Sequence, residues 1–141
     1  MSDFYKYFKK NMEELGLPAP ESLYGDVQLA IANVAIFLGH IDKFGKAVTV
    51  AEVVGAGTRL EKIGVVGTLS AAYYAGAVIG SLAVATGRSL SGGTSLADVM
   101  QFARENRIHR PWLGTTISSA PGIYQAGVRV PRSLERRVRR P

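Results

Sequence analysis

The pattern of apolar and polar positions divides the chain into helical stretches of different character. Residues 3–15 set Phe4, Tyr7 and Phe8 on one side, with Ser2 as cap and Gly16 as stop, and predict a short amphipathic helix. Leu17 to Pro20 reads LPAP, a linker that two prolines keep out of any helix. A second helix is expected from Ser22 to Phe44, ended by Gly45. Its middle, VQLAIANVAIFLG (27–39), is apolar nearly all round, so it is buried in protein or in lipid. Asp26 and Asp42 bracket it and His40 lies inside, leaving the run too short to span a bilayer unaided. Ala32, Ala35 and Gly39 give it small residues at helical spacing, which suits a core helix, a partner helix, or an interfacial or re-entrant piece. Thr49 and Glu52 form a capping-box pattern opening VAEVVGAG, and Ser95 with Asp98 caps LADVMQFARENR. SLSGGTS (89–95) reads as a flexible connection. After Pro111 the helical period is lost, and irregular structure or short strands are expected.

Between these lies IGVVGTLSAAYYAGAVIGSLAVATG, residues 63–87, with no Asp, Glu, Lys, Arg or His. Read as one helix it would be about 38 Å long, against about 30 Å for a bilayer hydrocarbon core. Few of its residues are strongly apolar, so it favours insertion by only a few kcal/mol on the insertion scale. Gly64, Thr68, Ala72, Gly76 and Gly80 recur every four residues and therefore share one helix face, with Gly67, Ala71 and Ala75 beside them. Such a face admits another backbone closely. In lipid it is a common means of helix association, and in water it fits the central helix of a soluble bundle. If the face joins copies of the chain in a membrane, replacing Gly76 and Gly80 by Leu should abolish permeabilisation while leaving the fold soluble. The expected fold is all-α: a compact helical bundle around this central Gly/Ala-rich apolar helix. Its body spans residues 1–110, followed by an irregular segment and Arg-rich tail over 111–141.

Charge adds an asymmetry to this picture. The net +6 is concentrated at the C-terminal end, where residues 100–141 hold nine Arg against Glu105 and Glu135. Residues 1–99 hold eight Lys and Arg against nine Asp and Glu. The tail residues Arg132, Arg136, Arg137, Arg139 and Arg140 are candidate contacts to anionic lipid headgroups or to a partner. Nucleic acid is a poorer match, because Trp112 and Tyr124 are too few and too scattered for a stacking platform. A solvated tail with no partner is the alternative. The chain has no Cys, which excludes disulfides, thiolate metal sites and a Cys nucleophile. His40 has no second His at i+4, and His109 sits in the basic cluster RIHRPW, so no metal site is expected. G-x-S-x-G is missing, and GAGTRL (55–60) ends in Leu where a dinucleotide loop needs Gly. No catalytic set and no cofactor are expected, and the chain is read as a non-enzyme. The N-terminal MSDFYKYFKKNMEELG lacks the apolar stretch of a secretory signal.

An unsignalled small chain with this glycine-zipper-like face and no catalytic set resembles the small pore-forming antibacterial effectors of bacterial type VI secretion. The resemblance rests on Gly64, Thr68, Ala72, Gly76, Gly80 and the uncharged 63–87 stretch, about a fifth of the chain. It implies a toxin held in the producer's cytoplasm and carried through the ring-shaped tube protein of the apparatus. In the target cell it would enter the inner membrane, self-associate there and dissipate ion gradients, with a cognate immunity protein protecting the producer. A soluble all-α protein-interaction module without membrane activity is the alternative, and an Arg-tail nucleic-acid binder is a weaker third.

Overall fold

The computed structural model describes residues 3–56, 66–88, 95–119 and Ile123. Among these the chain is all-α, with seven helices and no strand. The first, α1 (Asp3–Glu14), buries Tyr5, Phe8 and Met12 along one side. Its end is a Schellman turn: Leu17 N–H donates to the Met12 carbonyl and Gly16 N–H to that of Glu13, with Gly16 at φ 77°.

The expected helix over 22–44 is two helices. A single turn, α2 (Glu21–Tyr24), is followed by α3 (Val27–Phe44). The break is chemical. Asp26 takes an extended conformation, and its carboxylate accepts from Leu29 N–H at 2.9 Å, capping α3. The α2 turn is tied back by Asn33, whose amide donates to the Leu23 carbonyl at 2.8 Å. Gly45, at φ 97°, ends α3 as expected.

The capping box at Thr49 and Glu52 forms in both directions and opens α4 (Val50–Ala56). The start of α4 also redirects the next stretch. Val50 N–H donates to Leu69, Ala51 N–H to Gly67, and Ala71 N–H to Val48. These bonds hold 66–70 as a turn and short extended piece, so the apolar helix begins only at Ala71. Ser70 caps it by accepting from Tyr73 N–H.

This helix, α5 (Ala71–Ala83), is the centre of the molecule. Every residue in it except Tyr73 is buried. It continues into Val84–Arg88, a wider turn that Gly87 at φ 102° breaks out of helical geometry. Helices α1, α3 and α4 pack on α5, as do α6 (Leu96–Glu105) and α7 (Leu113–Ser118). The capping box predicted at Ser95 and Asp98 opens α6. The short helix α7 lies where irregular structure or strands were expected.

Candidate functional site

The face expected to carry function is the small-residue row of the 63–87 stretch. Only part of it lies on a helix. Thr68 is exposed in the turn before α5, and Gly64 lies outside the described residues. Ala72, Gly76 and Gly80 are on α5 and are buried. The helical core of 13 residues is about 20 Å long, shorter than a bilayer's hydrocarbon core.

At Gly76 and Gly80 the row is already filled by the chain itself. A Cβ placed on Gly76 would lie 3.3 Å from Thr116 Cγ2, 3.5 Å from Ile117 Cγ1 and 3.9 Å from Leu113 Cδ1, all on α7. A Cβ on Gly80 would overlap the Ile123 Cγ2 methyl. Ile123 is held there by Asn11, whose side-chain amide donates to the Ile123 carbonyl at 2.9 Å and to Ser81 Oγ at 2.7 Å. Asn11 and Ser81 are both buried, so these bonds answer polar groups that water does not reach. The glycines thus make room for α7 and Ile123. Leu at Gly76 and Gly80 would unseat both before any intermolecular contact could be judged, which removes the expectation that such a variant keeps its fold.

The opposite side of α5 meets α3 through the Phe37 and Tyr74 rings, 5.4 Å apart. Tyr74 and Tyr24 share a buried hydrogen bond of 2.9 Å. Tyr74 donates to the Pro18 carbonyl, a group that can only accept, so the shared proton is that of Tyr24. Burial pushes both phenols above the ordinary tyrosine range.

A feature underweighted in the sequence is the outer face of α3. Among the described residues α3 is the one helix long and apolar enough to cross a membrane by length and composition. It has 18 residues and a mean hydropathy of 1.2, and only 33% of it is buried. Ile36 is 38% exposed and Phe44 48%, while Ala32, Ala35 and Gly39 also face outward. No neighbour lies within 4 Å of a Cβ built on Gly39. Ala32, Ala35 and Gly39 share helical spacing in the sequence, but Asp42 shortens the apolar run there, whereas the helix continues through Asp42 to Phe44.

The end of α3 is anchored by Arg110. Its guanidinium grips Asp42 with three bonds, Nε to Oδ1 at 2.9 Å and to Oδ2 at 3.2 Å, and Nη2 to Oδ2 at 2.8 Å. Its third nitrogen donates to the His109 carbonyl. His40 stacks on Phe44 beside this anchor. Among the described residues no group of three or more His, Asp or Glu is placed to hold a metal ion. The tail arginines Arg132, Arg136, Arg137, Arg139 and Arg140, and the connection 89–94, lie outside the described residues. The chain matches no family model, no curated protein and no solved structure.

Proposed function

We propose that this chain is a membrane-permeabilising antibacterial toxin, stored as a compact helical bundle and active once its apolar helices enter a bilayer. The observation that carries this reading is the pairing of α3 with α5. An 18-residue apolar helix with Ile36, Ala32, Ala35 and Gly39 outward lies against a helix that is apolar on every side. The helices packed around α5 need only to open for the pair to meet lipid. At about 27 Å, α3 nearly matches the hydrocarbon core, and it makes first contact because its apolar face is already uncovered. The small face of α5 then becomes a means of association among copies, where water no longer drives helices together. The resemblance to type VI effectors extends the proposal. The chain passes from the producer's cytoplasm through the secretion tube to the inner membrane of a target cell, and an immunity protein guards the producer. The Arg-rich tail suits anionic headgroups.

The test is dye release from anionic vesicles by the purified protein beside its Ile36→Asp variant. Ile36 is near the middle of α3 and more than a third exposed, so the change should leave the fold in place. A charge at a helix centre costs roughly 2.5–3.5 kcal/mol of insertion, so release by the variant should fall on the order of a hundredfold. Equal release by both proteins would remove α3 from the account.

A second reading, a soluble all-α interaction module, is favoured by one observation: Gly76 and Gly80 are filled by the chain's own Thr116, Ile117 and Ile123. It predicts no release by either protein and an unfolding transition that vesicles leave unchanged.

A further inference from the structure

We infer that α7 together with Ile123 forms a releasable strap over the small face of α5, an autoinhibitory contact that keeps Gly76 and Gly80 from meeting a second helix. The autoinhibition rests on the membrane reading above; the strap itself does not.

Two observations define the strap. It occupies the small face closely, since Thr116 Cγ2 sits 3.3 Å from the place of a Gly76 Cβ and Ile123 fills the notch left by Gly80. It is also a short element. The helix has six residues, fewer than an isolated helix needs to persist, and Trp112 at its start supplies no side-chain cap. Its fully buried residues are Leu113, Ile117 and Ile123, with Trp112 partly buried against the core, whereas α5 buries twelve residues. Thr115, Ser118 and Ser119 on its outer side are exposed, so nothing among the described residues clamps it from above. An element held by few buried contacts opens at lower free energy than the core on which it lies.

Asn11 is the latch. It bridges α1 to both parts of the closed state, with one bond to Ser81 on α5 and one to the carbonyl of Ile123. When the strap lifts, the face presented is Ala72, Gly76 and Gly80, a groove with no side chain larger than a methyl. In that state the residues that now receive Ile117 and Ile123 are open to the same kind of knob from another copy.

Two experiments test the strap, and they separate its failure from that of the membrane reading. The first uses the unmodified chain without lipid. Amide hydrogen exchange should show Thr116 and Ser119, bonded to Trp112 and Thr115, exchanging on the order of a hundredfold faster than the interior amides of α5. Exchange of both sets at one common rate would overturn the strap whatever the chain does to membranes. The second is a reversible lock. The chain has no Cys, so Gly76→Cys with Thr116→Cys offers a single possible disulfide, placed where a sulfur at the Thr116 Cγ2 position faces a new Cβ. The oxidised protein should release vesicle dye at least about tenfold more slowly than the same sample after reduction, and its α7 amides should gain the protection of α5. The reduced form is its own folding control. Equal release by oxidised and reduced protein would overturn the autoinhibition. If neither form nor the parent releases dye, the membrane reading and the autoinhibition fail together, and the exchange rates alone decide whether the strap opens.

Discussion

Gly80 and Gly39 are both helical glycines, and their surroundings predict opposite outcomes for the same substitution. A methyl at Gly80 overlaps Ile123, so Gly80→Ala forces the strap outward and should destabilise the fold by about 1–3 kcal/mol. Gly39 faces open space, so Gly39→Ala gains helix propensity and should stabilise by up to about 1 kcal/mol. Urea unfolding of the two variants measures both, and a neutral Gly80→Ala would mean that Ile123 does not seat there. The Tyr24–Tyr74 pair makes a second prediction at this scale. Both phenols are held protonated in the fold by burial, whereas in the unfolded chain they ionise near pH 10. Below pH 10 both states hold the proton and stability does not change. Above it the unfolded state releases protons that the folded state keeps, so stability falls as pH rises, by about 1.4 kcal/mol per pH unit for each tyrosine. Unfolding measured from pH 8 to 11 should show that loss, and Tyr24→Phe should reduce it. A stability that stays flat through pH 11 would refute the buried pair.

At the scale of elements, Arg110 fixes the C-terminal end of α3 through Asp42. The Asp42 partner is half exposed, so Arg110→Ala should cost no more than about 1 kcal/mol, and the loss should shrink in high salt. A loss of several kcal/mol would place this pair at the centre of the fold instead. The elements also show what sequence pattern could and could not reveal. The capping boxes at Thr49 and Ser95, the stops at Gly16 and Gly45, and the all-α class follow from local chemistry and are found as read. The long helix over 63–87 is not found, because its first part is bonded to Val48, Val50 and Ala51, and such pairing between distant segments leaves no periodic mark. The break at Asp26 was legible as a capping residue, but the apolar run that follows it outweighed that signal. Helix α7 was missed because Gly114, Thr115, Thr116 and Ile117 are poor helix formers, and the burial of Leu113 and Ile117 overrides that preference. Of the small face, the residues Ala72, Gly76 and Gly80 were legible as a close-packing row. That their neighbour is the chain's own α7 was not.

For the whole molecule, one sequence supports a packed state and, on the proposed reading, a membrane state. The packed state spends its small face internally, on α7 and Ile123, and leaves the apolar face of α3 to solvent. Lipid would reverse that use, drawing in α3 and freeing the groove of α5 for another copy. The basic C-terminal end adds charge of the sign that anionic membranes attract, so vesicle binding should weaken as salt rises from about 0.05 to about 0.5 M, over which the screening length falls severalfold. The most direct measurement is current across an anionic planar bilayer with purified protein on one side. The account predicts discrete conductance steps whose frequency rises more than linearly with protein concentration, as association of copies requires. A bilayer that stays silent at every concentration, with protein that remains fully folded in the bath, would contradict it and leave the bundle as a module that acts on another protein.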